Sequence, residues 1–269
     1  MKQFIVSCLR KARLVSSVEK ARYLFSRAST YNGNRQFEKA NPAFKMPPLW
    51  LVYDAISTCD WHRYFNSGNS LAKLFADLIL KHSRQRSADI AILEWGCGPG
   101  RIIRHLPGLL SEATIFGTDY NSKSIAWASS AIDNVQFKTN QLTPPLPYAD
   151  EKFDVVYCCS VFTHLSEEMH HAWFEELMRV IKPNGLVIFT THGDHFKGKL
   201  LKGELEEYET GRLVVRGRVK EGSRMFTAFH NPRFIRQRLV GKHKVLEHID
   251  KPPTAEISQD IWIVSKTEG

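Results

Sequence analysis

Apolar residues cluster in short runs that close on polar residues. Ile90, Ala91, Ile92 and Leu93 end at Glu94, and residues 113–119 end at Asp119. Asn134-Val135-Gln136-Phe137-Lys138-Thr139 ends at Asn140, and Phe153 to Cys159 is apolar almost throughout. Leu186 to Thr190 makes a fifth run. Continuous apolar runs of this length predict strands buried on both faces. Between them the period changes to three or four. Ile102, Ile103 and Leu106 open one helical pattern, 124–131 another, and Met169, Trp173, Leu177 and Val180 mark a third over 166–181. Ser166 reads as the N-cap of that third helix, and Lys182-Pro183-Asn184-Gly185 as the turn that ends it. Alternating strand and helix predicts one right-handed, mostly parallel α/β sheet with helices on both faces.

The flanks are less regular. Asn41-Pro42 and Pro47-Pro48 mark an irregular entry, followed by an aromatic stretch with Trp50, Tyr53, Trp61, Tyr64 and Phe65. Asn69 to His82 carries Leu71, Leu74, Phe75, Leu78 and Ile79 on one helical face. After the fifth strand, 193–230 is a basic insertion with strand-like 213–215 and 225–229. Asn231-Pro232 starts a helix through Leu239, and 244–249 and 261–264 read as two last strands. The expected organisation is a basic helical extension and lid over 1–88 and an α/β domain over 89–269.

Between the first strand and the first helix stand Gly96, Gly98 and Gly100 at alternate positions. Glycines permit a sharp turn and let a ligand touch the main chain. The spacing approaches the dinucleotide fingerprint but lacks its second gap, which speaks against a nicotinamide dehydrogenase. An acid at the end of the second strand, some twenty residues past the glycines, is placed to accept two ribose hydroxyls. Asp119 stands there, with capping of the following helix as its other reading. Asn140, with Gln141 beside it, fits a contact to a base, and a plain turn residue is the alternative.

With Glu94 just before it, the glycine turn resembles the first motif of class I S-adenosylmethionine-dependent methyltransferases. "LPYADEKFDVVYCCSVFTHL" and "RVIKPNGLVIFT" resemble later segments of that family, so the likeness runs through 90–192. It implies a Rossmann-like seven-stranded sheet with an antiparallel last strand, and S-adenosyl-L-methionine as cofactor. The cofactor has a positive sulfonium and an amino group and no phosphate, which suits a carboxylate such as Glu94. Residues implied at the cofactor are Glu94, Gly96, Cys97, Gly98, Gly100, Arg101, Asp119, Tyr120, Asn140, Gln141 and Ser160, with Tyr64 approaching the methionine end. Tyr53 is a second candidate there. The insertion sits where such enzymes recognise substrate.

Methyl transfer is an in-line displacement in which positioning is the main effect. A hydroxyl acceptor adds a use for a base, and histidine suits that near neutral pH. His164 follows the fourth strand and His192 the fifth, with Asp194 and His195 beside it, at the strand ends where such sheets bind ligands. The [D/N]-P-P-[Y/F] signature of base-amine methylation is absent, since Cys158-Cys159-Ser160-Val161 stands in its place. "ILEWGCGPGRIIRHLP", "SVFTHLSEEMHHAWFEELMRVIKPNG" and "QDIWIVSK" look like bacterial methyltransferases of cell-surface glycan or secondary-metabolite assembly, whose acceptors are often sugar hydroxyls. An RNA methyltransferase and a cofactor-binding regulator without catalysis are the other readings.

Charge bears on partners. The net +9 is uneven: 1–40 hold nine Lys/Arg against two acids, and 197–244 hold thirteen against five. Acidic partners such as nucleic acid or anionic lipid fit the two ends, as does an ordinary solvated surface. The first 28 residues mix Phe4, Ile5, Leu9, Ala12 and Val15 with Lys and Arg. A helix packed on the core is the first reading, peripheral membrane contact the second, and a transit peptide the third. No apolar run approaches the roughly 20 residues of a membrane span. The five cysteines show no metal spacing, and Cys158 and Cys159 point to opposite faces of one strand. They predict reduced thiols in a cytoplasmic protein.

Overall fold

The computed structural model describes residues 15–83 and 90–267. The amphipathic pattern at residues 4–12, Cys8 and the expected boundary at 88/89 lie outside them. Four helices come first: α1 (Val15–Ser29), α2 (Tyr31–Ala40), α3 (Leu49–Ile56) and α4 (Trp61–His82). The 22-residue α4 starts well before the expected Asn69 because Asp60 caps it, accepting the Arg63 N–H at 3.1 Å.

The sheet then builds from β1 (Ala91–Trp95), β2 (Thr114–Asp119), β3 (Gln136–Thr139), β4 (Phe153–Cys158) and β5 (Ile181–Thr191). It closes with β8 (Lys244–Ile249) and β9 (Asp260–Ser265). Strand order is β3-β2-β1-β4-β5-β9-β8, and β9 runs antiparallel to both of its neighbours. β6 (Leu213–Arg216) and β7 (Thr227–His230) pair with each other as a separate antiparallel ribbon.

Alternation along the strands divides the core in two. Leu93, Val156 and Val187 face a cluster with Trp173, Phe174 and Leu177 of α7 (Glu167–Val180). Ile92, Val155, Tyr157 and Ile188 face Leu71, Phe75 and Ile79 of α4. Cys158 belongs to the first cluster and Cys159 packs on the second, as a period of two requires. Among the described residues all four cysteines are free.

Two local expectations change. The helix after the glycine turn is only a 3-10 turn (Ile103–His105) and one short turn, α5 (Leu106–Leu109), because Pro107-Gly108 leaves little to propagate. Lys182-Pro183-Asn184-Gly185 lies inside β5 rather than before it. The strand pairs Ile181 with Phe153, bulges with Asn184 at φ 62°, and resumes with Leu186 opposite Val155. α6 (Ser122–Ala131) follows β2 as expected, and α8 (Lys202–Glu209) lies within the insertion. The helix predicted from Asn231 divides into α9 (Pro232–Phe234) and a π-helical turn, Ile235–Leu239.

Candidate active site

The carboxyl ends of β1, β2 and β4 surround the main cavity, as expected where strand order reverses in a sheet of this kind. The glycine loop forms its floor. Gly96 and Cys97 N–H both donate to the Thr118 carbonyl, at 2.8 and 3.0 Å. Gly98 N–H donates to Asp119 Oδ2 at 2.9 Å. Gly98 has φ +53°, and a Cβ built there meets nothing within 4 Å, so bare backbone faces open space. Asp119 Oδ1 accepts from Asn121 N–H at 2.7 Å. The capping role weighed for Asp119 belongs to Asn121, whose side chain accepts from Lys123 and Ser124 N–H.

Two buried carboxylates line this cavity. Glu94 accepts one side-chain hydrogen bond, from Tyr157 OH at 2.7 Å. Burial raises its pKa to about 8, against the opposing pull of the Tyr157 hydroxyl and of Arg101. Burial also raises Asp119, to about 6, although the Asn121 and Gly98 amides favour its charged form. An enclosed pair of under-compensated acids fits a ligand that brings positive charge and hydroxyl donors. A pyrophosphate would meet repulsion here. Asn140 stands at the end of β3, its Oδ1 2.9 Å from Thr118 Oγ1. Gln141, Tyr120 and Ser160 also line the cavity, with Leu142 and Trp173 as apolar wall. Ser160 holds a left-handed φ of 65°, braced by its N–H to Thr190 Oγ1 at 2.8 Å.

His164 stands at the cavity edge. Its Nδ1 lies 2.7 Å from the Phe226 carbonyl, an acceptor only, so Nδ1 carries the proton and Nε2 keeps a lone pair. Burial pushes its pKa below the usual value, which keeps the ring neutral.

Three expected residues lie elsewhere. Tyr64 is fully buried and donates to the Pro99 carbonyl at 2.9 Å, bracing the glycine loop from behind. Gly100 turns toward α6, where a Cβ would strike Ile132 Cδ1 at 2.3 Å. His192 is absent from the cavity wall. Its ring packs on Phe196, centroids 4.2 Å apart, its Nδ1 meets the Ala228 carbonyl, and burial drives its pKa down to about 3. Asp194 is engaged by Tyr208 and Lys197.

The five residues of the cavity roof were not among those expected from the sequence. Asp54 and Ala55 of α3 and Gly222, Ser223 and Arg224 of the insertion close the cavity from above. Arg224 lies over the Tyr53 ring at 4.5 Å, donates to Ser57 Oγ at 2.9 Å and pairs with Glu19 of α1. Tyr53 thus belongs to the roof's support. Gly222 N–H donates to the His164 carbonyl, and Tyr120 OH to the Gly222 carbonyl. Within the segment 1–88 expected as extension and lid, α3 lines the cavity and α4 lies under the loop. Gly68 admits the Arg101 carbonyl so closely that a Cβ would sit 2.2 Å from it. Arg101 itself reaches Ser67 Oγ at 3.2 Å while lining the cavity. A lone acid in apolar "LWLVYDAI" was the available signal for Asp54; nothing local marks Arg224.

Sheet order, glycine turn and acid-closed strands are those of a class I S-adenosylmethionine-dependent methyltransferase, and the comparisons support that class. Residues 92–185 match the family described as a methyltransferase domain. An uncharacterized methyltransferase of Schizosaccharomyces pombe is 32% identical over 36% of this chain and 37% of its own length. The malonyl-[acyl-carrier protein] O-methyltransferase of Bacillus cereus is 26% identical over 77% of this chain and 71% of its own. A SAM-dependent methyltransferase structure from Methanosarcina mazei shares the fold, with TM-score 0.53 and 19% identity over 71% of this chain and 98% of that one. The chain spans about two-fifths of the length of the first curated relatives it matches.

Proposed function

We propose that this protein methylates a hydroxyl oxygen of a small-molecule or glycan acceptor, with His164 taking the proton. The carrying observation is the fixed tautomer: Nδ1–H is held by the Phe226 carbonyl, leaving Nε2 basic at the edge of the cavity. S-adenosylmethionine bound there supplies a methyl group on a positive sulfonium. Asp119 accepts the ribose hydroxyls, Glu94 balances the ammonium, Arg101 meets the carboxylate, and Asn140 and Gln141 contact the base. Cys97, Gly96 and Gly98 present main chain beneath it. Roof and floor orient the acceptor and exclude water, the larger part of the effect.

A long nucleic-acid track finds less support. In the basic insertion Lys197 pairs with Asp194 and Glu209, Arg216 with Glu204, and Arg224 with Glu19. Engaged cations are poorly placed to neutralise a row of phosphates. Free thiols agree with a reducing, cytoplasmic setting.

The test supplies methyl-labelled cofactor to the chain with hydroxylated small-molecule and glycan fractions, followed by mass and NMR analysis. The expected result is a product heavier by about 14 Da plus the isotope, because the methyl group leaves the sulfonium sulfur for the oxygen and the hydroxyl hydrogen departs as a proton, with the label on oxygen. Label on nitrogen or carbon, or in added RNA, overturns the oxygen acceptor.

Cofactor binding should depend on pH. Free Glu94 titrates near 8 because of burial, and an ammonium beside it favours the ionised form. Binding therefore expels a proton, and affinity rises with pH up to about 8 and then levels off. The slope is at most about tenfold per pH unit. Glu94→Gln should flatten the profile between about 7 and 8. Calorimetry in buffers of different ionisation enthalpy reads the proton directly; none released rules Glu94 out as the linked group. The free protein shows the opposite trend in folding. A carboxyl raised above its ordinary 4.5 contributes fully below that value and loses its contribution as pH rises through about 8.

A further inference from the structure

α1 carries its apolar side outward. On a wheel of about 100° per residue, Glu19, Tyr23, Ser26 and Thr30 share one face. That face packs inward: Tyr23 meets the Tyr53 ring at 5.3 Å, Ser26 Oγ accepts Cys59 N–H at 2.8 Å, and Glu19 pairs with Arg224. Opposite it lie Ala21, Leu24, Phe25 and Ala28, all exposed, with Leu24 at 52% and Phe25 at 76%. A helix that merely covered a core would turn this stripe inward.

We infer that α1 docks the protein on an anionic membrane surface, its apolar stripe entering the headgroup region. Charge supports this occupant. Lys20 and Arg27 border the stripe on one side, and on the other stands Arg22, paired with Glu19 at 2.8 Å; all three are exposed. The acid of this helix, Glu19, faces inward and is shared between Arg224 and Arg22, so Lys20 and Arg27 are the cations of this helix that carry the attraction. Residues 1–14 add Lys2, Arg10, Lys11 and Arg13 with no acid. Apolar residues flanked by basic ones are what an interfacial helix needs, and anionic lipid adds attraction for each cation. RNA has no use for Leu24 and the alanines. A second copy, or residues 1–14 folded back, would set positive charge against positive charge.

The test is co-sedimentation of the full chain with vesicles of phosphatidylcholine alone or with about one-third phosphatidylserine. Binding to the anionic vesicles is expected, with little to the neutral ones. Leu24→Ser with Phe25→Ser should lower the partition about tenfold or more and leave the melting temperature unchanged, both side chains being exposed. Absence of binding to anionic vesicles overturns the inference, as does equal binding by the variant. So does a melting temperature lowered by the variant with vesicle binding intact, which shows the stripe covered by this chain. A dimer that the variant abolishes assigns the stripe to a second copy, and displacement from vesicles by RNA that binds more tightly assigns it to nucleic acid. None of these readings depends on methyl transfer.

Discussion

Asp119→Ala should weaken binding of S-adenosylhomocysteine by about 2–3 kcal/mol, a rise in Kd of roughly 30- to 160-fold. The carboxylate is buried at the end of β2, and each oxygen already holds one loop amide, Gly98 on one side and Asn121 on the other. Each oxygen keeps a second lone pair for a ribose hydroxyl. Removal therefore loses charged hydrogen bonds to the ligand and frees the loop amides at once. Asp119→Asn should fall between, since an amide retains the shape but only one acceptor. Calorimetry measures the affinity and thermal melting the fold. A normal Kd together with a lowered melting temperature would make Asp119 a brace of the loop and nothing more.

The second large effect concerns His164. His164→Ala should lower turnover by about a hundredfold or more with cofactor affinity kept, the scale of a lost general base. Alanine also abandons the Phe226 carbonyl, so His164→Asn is the sharper variant. Its amide can donate where Nδ1 donated, and it offers no base. If the ring only supports the roof, asparagine restores turnover; if it takes the proton, asparagine stays as slow as alanine. Burial lowers the pKa of His164, so the wild-type rate should lose its basic form only below the ordinary histidine range. A rate that instead climbs through pH 7–8 points to another group.

Strands and their acid-closed ends were legible because both faces of a parallel sheet demand apolar runs, whatever surrounds them. Glu94 and Asp119 end such runs and reach the cavity for that reason, whereas Asn140 reaches it from the end of β3, a largely exposed strand at the sheet edge. Residues chosen by type rather than by strand end fared differently. His192 is polar and follows β5, yet the ribbon β6–β7 buries it, since Ala228 and Phe229 close over it. Tyr64 and Gly100 lie close to the loop in sequence or space, but each contacts the side away from the cavity. The roof was illegible because it joins Glu19, Asp54 and Arg224, which no local period connects. The apolar stripe of α1 was visible as composition, whereas its outward direction emerged only once Glu19 and Ser26 were seen packed inward.

The contact between Gly68 and the Arg101 carbonyl has a practical side. Exchanging halves between relatives near residue 90 would transfer every recognisable motif and still join an unmatched pair. Any larger residue arriving at 68 would push the loop upward into the nucleoside's space. Chimeras should therefore inherit positions 64, 68 and 101 from a single parent, and a fragment starting at β1 makes a poor donor for such grafts.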